Sequence, residues 1–104
     1  MDRLNTSASS GSSPQASTQR VTAVDHTTGR IRIPRASKSL FPEDRCDIEI
    51  ALRGHSMVVR WNPRYGPPER SGTLGIGKEI LNGLVRIDDV LQVTINDAGI
   101  WELG

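Results

Sequence analysis

Short stretches in which apolar and polar residues alternate organise the chain from Ile31 onward. Three of them lie at Ile31-x-Ile33, Ile48-x-Ile50-x-Leu52 and Met57-Val58-Val59. Alternation with a period of two, carried by β-branched residues, is typical of strands that bury one face. The pattern therefore predicts three short strands, and the turn residues Arg53-Gly54-His55-Ser56 predict that the last two form a hairpin.

The same pattern recurs 43 residues later, so the chain contains an internal repeat. Equivalent apolar positions are Ile31 and Leu74, Ile33 and Ile76, Phe41 and Leu84, and Ile50 and Val93. Each copy predicts a strand, a short helix or turn, and a hairpin, and neither copy can bury its faces alone. We expect the two copies to pair about a pseudo-two-fold axis into a small, mainly β barrel of six strands, with Val21–Val24 as a candidate seventh strand.

Composition sets the expected domain boundaries. Thr6 to Gln19 is almost entirely Ser, Thr, Ala, Gly, Pro and Gln, and such a segment buries too little apolar surface to become ordered. We expect a disordered tail over residues 1–20 and one barrel domain over residues 21–104. Within the domain, residues 29–60 and 72–103 form the repeats, and an arm over 60–71 connects them.

Charge is distributed unevenly along the barrel domain. Between Gly29 and Arg70 there are nine basic residues against five acidic ones, and eight of the nine are arginines. From Ser71 to Gly104 there are two basic and five acidic residues. Arginine makes paired hydrogen bonds to phosphate or guanine, so an arginine-rich half is typical of a nucleic-acid binder. A solvated basic surface would have the same composition.

The connecting arm carries the remaining candidate chemistry. It contains three of the six prolines, three arginines, Trp61 and Tyr65. Prolines stiffen a loop and so order the side chains that it displays, which suits an arm that enters a groove of DNA. In the alternative interpretation, Trp61 and Tyr65 cover one end of the barrel and the arginines only keep it solvated.

Several short motifs together resemble a known family. They are Ile33-Pro34, Leu40-Phe41-Pro42, Val59-Arg60-Trp61-Asn62, Gly72-Thr73-Leu74, Leu84-Val85 and Asp88-Asp89-Val90-Leu91. Their order resembles the DNA-binding pseudobarrel domain of plant auxin-response and abscisic-acid-response transcription factors, a fold shared by the recognition domains of some restriction endonucleases. The resemblance covers about Thr27 to Leu103. The repeat unit also resembles AbrB-type swapped-hairpin proteins, in which two chains build one barrel.

The first resemblance implies two arms that grip the major groove of double-stranded DNA. The first arm would be Thr27-Thr28-Gly29-Arg30 with Arg32, and the second would be Arg60 to Arg70. Within them, Asn62 and Arg64 are expected at base edges, and Arg30, Arg32 and Arg70 at phosphates. The complete set of expected DNA-binding residues is Thr28, Arg30, Arg32, Arg35, Lys38, Arg60, Trp61, Asn62, Arg64, Tyr65 and Arg70.

Catalytic and metal-binding signals are weak. Gly72 to Glu79 approaches a phosphate-binding loop, but Glu79 stands where such a loop needs a hydroxyl. His26 and His55 have no partner at a recognised spacing, and the single cysteine, Cys46, excludes a disulfide framework and a Cys-based zinc site. We therefore expect no enzyme activity, no cofactor, no bound metal and no small-molecule substrate.

The sequence also lacks an apolar run long enough to span a membrane and the apolar core of a signal peptide, so the expected location is the cytoplasm. The predicted function is a sequence-specific double-stranded DNA-binding module in transcription regulation. Three alternatives remain: an AbrB-like regulator, a protein-interaction barrel with an acidic partner, and the specificity domain of a restriction endonuclease acting with a partner nuclease.

Overall fold

The computed structural model describes residues 16–104, and seven strands form its single sheet. They are β1 (Ala16–Ser17), β2 (Arg30–Ile33), β3 (Cys46–Leu52), β4 (His55–Asn62), β5 (Gly72–Gly75), β6 (Gln92–Ile95) and β7 (Trp101–Leu103). The helices are α1 (Ala23–Thr28), a 3-10 helix (Arg35–Leu40) and α2 (Lys78–Leu84). None of these helices is long and apolar enough to cross a membrane.

The sheet curls into a nearly closed barrel with the strand order β1-β6-β7-β3-β4-β5-β2. Neighbouring strands run antiparallel except β3 and β7, which are parallel. The two edge strands meet through the residues that follow β1: the Gln19 N–H donates to the Arg32 carbonyl at 3.0 Å, and the Thr18 N–H donates to the Leu91 carbonyl at 2.9 Å. Few backbone groups are therefore left at an open edge, which confirms the expected mainly β barrel.

The internal repeat is visible in the strand register. Ile31 and Leu74, which are equivalent positions of the two copies, pair directly between β2 and β5. On either side of them Arg30 pairs with Gly75 and Arg32 with Thr73, and a shift by the repeat length exchanges these two pairs. The pseudo-two-fold axis therefore passes between β2 and β5. Three strand pairings depart from this symmetry: β4 pairs with β5, β7 pairs with β3, and β1 pairs with β6, and none of them has an equivalent in the other copy.

Burial follows the repeat at most equivalent positions. Ile33 and Ile76 are both buried, as are Ile50 and Val93. The pair of Phe41 and Leu84 is less symmetric, because Phe41 is buried while Leu84 is only half-buried against the core. Alternating residues of both copies thus fill one interior, as expected from the period of two.

Aromatic rings fill the end of the barrel under the 3-10 helix. Trp61 is fully buried and stacks on Phe41, with ring centroids 4.6 Å apart, and Phe41 stacks on Trp101 at 5.3 Å. Each indole N–H finds a carbonyl acceptor near that helix: Trp61 donates to Pro42 at 2.7 Å and Trp101 to Leu40 at 2.9 Å. These rings therefore belong to the core and hold the 3-10 helix on the barrel.

Two expectations about the N-terminal region are wrong. Val21–Val24 is no strand, because Thr22 and Asp25 form a capping box that starts α1, and Gly29 ends that helix in the left-handed conformation. The seventh strand is Ala16–Ser17, which the composition assigned to a disordered tail. This strand is polar, but the hydrogen bonds of the sheet satisfy its backbone groups and so keep it ordered. The rest of the expected tail, residues 1–15, lies outside the described residues.

Deletion of N-terminal residues tests whether β1 contributes to the stability of the domain. Thr18 is buried, and its hydroxyl accepts a hydrogen bond from the Leu91 N–H at 3.0 Å. Deleting residues 1–19 removes β1 and the hydrogen bonds of Thr18 and Gln19, each contributing about 0.5–1.5 kcal/mol. We expect the melting temperature to fall by on the order of 10 °C. The control deletes residues 1–15 and keeps every described residue; equal melting temperatures for the two truncations would contradict the role of β1.

Candidate nucleic-acid interface

The outer surface of strands β2, β5 and β4 carries a concentration of arginines. Arg30, Gly75 and Arg60 form one row across the three strands, and Arg32, Thr73 and Asn62 form the next. Paired residues of neighbouring strands point to the same side of a sheet, and the intervening Ile31, Leu74 and Trp61 point into the core. We call the outward set of Arg30, Arg32, Arg60, Asn62 and Thr73 the arginine face.

The segment between β4 and β5, residues 63–71, forms a compact loop beside this face. Asn62 fixes its beginning, because the Asn62 Oδ1 accepts a hydrogen bond from the Arg64 N–H at 3.0 Å. Arg64 adopts a left-handed backbone conformation with φ 54°. The Arg64 Nε then donates to the Ser71 carbonyl at 2.8 Å and so spans the loop from one end to the other.

The loop brings its arginines close to the arginines of the face. Burial, followed by the positive charges of Arg70, Arg30 and Arg32, lowers the pKa of the Arg64 guanidinium from its usual value. The loop that carries Arg64 is attached to the arginine face through Asn62 and returns to β5 through Ser71. A group of like charges gathered in one region is typical of a surface that binds anions.

Only part of this positive charge is neutralised within the domain. Asp25 is buried and forms ion pairs with the Nε atoms of Arg30 at 3.1 Å and Arg32 at 2.9 Å. Arg60 pairs with Asp47 at 2.7 Å, but both side chains are largely exposed, so water screens that pair. Arg30 and Arg60 each use only Nε in the hydrogen bonds of residues 16–104, which leaves their terminal nitrogens available.

Arg32 is held more firmly than its neighbours. In addition to Asp25, it donates from Nη1 to the Gln19 Oε1 at 2.8 Å and from Nη2 to the Arg20 carbonyl at 3.1 Å. Every nitrogen of its guanidinium is thus engaged within the protein. Arg32 therefore fastens the segment after β1 to β2, and a phosphate contact, as expected from the sequence, would have to compete with these bonds.

The buried carboxylate of Asp25 is ionised. Burial raises the pKa of Asp25, but hydrogen bonds from the Thr22 N–H, Arg30 and Arg32 outweigh it, and the pKa lies below its usual value. A carboxyl with a lowered pKa in the folded state stabilises the fold above its unfolded pKa, and this contribution is lost as the pH falls through the folded pKa.

Replacing Asp25 with asparagine tests this arrangement. The amide can still accept a hydrogen bond from the Thr22 N–H but no longer neutralises Arg30 and Arg32, so we expect a loss of about 1–3 kcal/mol in the free energy of unfolding at pH 7. The difference from the parent should shrink once the pH falls below about 4, where the unfolded parent begins to bind a proton at this carboxyl, and should be lost as the pH passes through the lowered pKa of the folded carboxyl. Urea titrations across this pH range measure it; a difference independent of pH would show that the charge of Asp25 is not what matters.

Two residues expected at DNA lie inside the domain, so those expectations are wrong. Trp61 is fully buried in the core, and Lys38 on the 3-10 helix is 2% exposed. Their burial follows from packing: Trp61 is on the inward side of β4, and Lys38 lies beneath the 63–71 loop. For Trp61, the interpretation as a cover for the barrel is closer to the structure.

The other expected residues differ in how exposed their side chains are and in whether the protein already binds them. Arg35 and Tyr65 are exposed. Thr28 ends α1, and its hydroxyl donates back to the Val24 carbonyl at 2.8 Å. Thus residues 27–29 of the first arm expected from the sequence are the end of a helix, and its Arg30 and Arg32 lie on the arginine face.

Asp25 and Thr73 contribute to this site although the arginine pattern does not point to them. Thr73 lies between Arg32 and Asn62 on the arginine face, as its register shows. Asp25 orients Arg30 and Arg32 from below. A local signal for Asp25 is present in the sequence, since Thr22-x-x-Asp25 is a capping-box pattern.

Comparison with known proteins agrees with this architecture. No family model matches the chain, and no curated protein matches it by sequence. Among solved structures, the Arabidopsis FUS3–DNA complex is similar, with a TM-score of 0.66 and 14% identity over 83% of this chain and 91% of that chain. The fold is the pseudobarrel. In this pseudobarrel the 63–71 loop connects β4 to β5, and these two strands carry part of the arginine face, so the loop and the face lie next to each other.

Proposed function

We propose that this domain binds double-stranded DNA and does so with the arginine face and the 63–71 loop. The observation that carries the proposal is the row of Arg30 and Arg60 across β2, β5 and β4, beside a loop that bears Arg64 and Arg70 and is joined to this face through Asn62. Phosphate contacts supply most of the affinity of such a surface for DNA. The similarity to the FUS3–DNA complex supports duplex DNA as the partner, and no catalytic step is part of the proposal.

The centre of the arginine face is shaped for a close approach. Gly75 separates Arg30 from Arg60 in the same row, and it is exposed. Two strand spacings place those arginines about 10 Å apart. Because Gly75 has no side chain, the backbone of β5 can come near a phosphate while the two guanidiniums reach it from either side.

The loop supplies the part that distinguishes sequences. The terminal nitrogens of Arg64 make no hydrogen bond among the described residues, while its Nε is fixed to Ser71. A guanidinium held at one nitrogen and free at the other two suits a paired contact with guanine. Asn62 is less suited to adenine than expected, because its Oδ1 already holds the Arg64 N–H. The base-reading part of the proposal therefore centres on Arg64.

A salt titration of duplex binding tests the proposal. Three phosphate contacts, from Arg30, Arg60 and Arg70, predict that the logarithm of the association constant falls with the logarithm of salt concentration with a slope of about −2.7. The Arg60→Ala variant should make that slope less negative by about one, since Arg60 makes only a surface ion pair within the protein and is available to a phosphate. The control is Arg86→Ala, an exposed arginine outside the arginine face. Absence of duplex binding would overturn the proposal and favour an acidic protein partner.

A further inference from the structure

Lys38 occupies an unusual position for a lysine. It lies on the 3-10 helix, its side chain is 3% exposed, and its ammonium group points beneath the 63–71 loop. Lysine is almost never fully buried unless its charge is paired. The partners of this ammonium group therefore indicate why the fold retains it.

Among residues 16–104, the partners of the ammonium group belong to the loop. Lys38 Nζ donates to the Pro63 carbonyl at 2.6 Å and to the Arg70 carbonyl at 2.7 Å, and it forms an ion pair with Glu69. The Tyr65 ring covers it, with its centroid 4.5 Å from Nζ. An ammonium group has three donors, so two carbonyls and one carboxylate satisfy it completely.

These contacts join the first residue of the loop to its last residues. Pro63 follows β4 directly, whereas Glu69 and Arg70 precede Ser71 and β5. The Lys38 side chain thus links the two ends of the loop, and the Arg64 side chain links them a second time through the Ser71 carbonyl. Glu69 cancels the charge of Lys38, so this lysine offers no free charge to a phosphate.

We infer that Lys38 is a positioning residue that orders the 63–71 loop before DNA binds and makes no contact with DNA itself. The inference rests on the proposed function. A loop that is already ordered loses less conformational entropy on binding, so closing it raises affinity without adding a contact. The loop arginines Arg64 and Arg70 gain from this closure because their backbone is held at both ends.

The test compares Lys38→Met with Arg70→Met. Methionine keeps the apolar stem of Lys38 and removes its ammonium group, whereas Arg70→Met removes a side chain and leaves the Arg70 carbonyl in place. For Lys38→Met we expect about 10-fold weaker duplex binding with an unchanged salt slope. Hydrogen exchange at the amides of residues 64–71, measured without DNA, should become faster. Arg70→Met should lower the salt slope by about one and leave the exchange unchanged.

A second variant guards against a general loss of folding. Glu69→Ala removes one contact of Lys38 at the surface of the loop, where the Glu69 side chain is 44% exposed. It also removes a negative charge, so a simple charge effect predicts tighter DNA binding. The inference predicts the opposite sign: weaker binding and faster exchange of the loop amides. Thermal melting confirms that each variant is folded at the temperature of the titration.

The outcomes separate the inference from the proposed function. If the parent protein binds no duplex, the proposed function is overturned and the role of Lys38 in binding falls with it. If the parent binds and Lys38→Met binds equally well, or loses one unit of salt slope with unchanged exchange, the inference alone is overturned. Tighter binding by Glu69→Ala would overturn it as well.

Discussion

Trp61→Ala is expected to reduce the free energy of unfolding by about 3–5 kcal/mol, the largest effect of any single truncation in this domain. The indole is fully buried, stacks on Phe41, and donates its N–H to the Pro42 carbonyl. Removing it leaves a cavity on one side of Phe41 and an unpaired carbonyl beside the 3-10 helix. Urea denaturation monitored by far-ultraviolet circular dichroism measures the loss.

A pair of glycines in β5 checks the same packing without removing the ring. A Cβ on Gly72 would lie 2.3 Å from the Trp61 Cη2, whereas a Cβ on Gly75 would meet nothing closer than the Arg60 carbonyl oxygen at 3.8 Å. Gly72→Ala should therefore destabilise by about 1–3 kcal/mol through overpacking. Gly75→Ala should be neutral or slightly stabilising, because it removes only flexibility of the unfolded chain.

The two glycine variants have the same chemistry, strand and neighbouring strands, so their difference isolates the contact with the indole. Equal stability of the two would contradict the placement of Trp61 against β5. A loss in Gly72→Ala that Trp61→Phe partly restores would strengthen it, since the smaller ring leaves room for the added methyl group.

Arg64→Ala is expected to abolish most of the preference between a selected duplex and a scrambled one. A guanidinium paired with guanine contributes about 1–3 kcal/mol of discrimination, which corresponds to roughly 5- to 150-fold in relative affinity. The duplexes come from selection on the parent protein out of a random pool. Each variant is then titrated on both sequences at two salt concentrations.

Arg70→Ala is the matched comparison within the same loop. Arg70 is exposed, and only its backbone carbonyl takes part in the described hydrogen bonds of the loop. Its loss should weaken binding to both duplexes about equally and lower the salt slope by about one. If Arg64→Ala leaves both affinity and preference unchanged, the loop only covers the barrel, and the interpretation of this surface as a DNA-reading element is wrong.

The strands were predictable because their signal is local. Each half-buried strand must alternate, and the repeated alternation at Ile31, Ile50, Leu74 and Val93 indicated both the elements and their equivalence. The barrel then followed from the need of two copies to bury one face each. The N-terminal boundary was not predictable from composition, since the polar residues of β1 are ordered by hydrogen bonds to strands distant in sequence.

The candidate site also combines properties that the sequence predicts with properties that depend on the tertiary structure. Arginine enrichment between Arg30 and Arg70 is a property of the sequence, and the structure places Arg30, Arg32 and Arg60 on one face of the sheet. Lys38 and Trp61 belong to the same basic, aromatic segment and were grouped with them, yet both are buried. For Trp61 the alternation Val59-Arg60-Trp61-Asn62 indicates the inward side of the strand, whereas Lys38 follows no such alternation and its burial depends on the distant 63–71 loop.

By itself the sequence determined the fold class, the repeat with its pseudo-two-fold axis, and the basic character of one half of the domain. These properties depend on residues close together in the chain, whose periodicity and charge can be read directly. Only the tertiary structure decided that Asp25 orders Arg30 and Arg32 and that Lys38 closes the 63–71 loop. Those roles depend on contacts across the barrel, where burial requires a partner for each charge and the fold selects which partner it is.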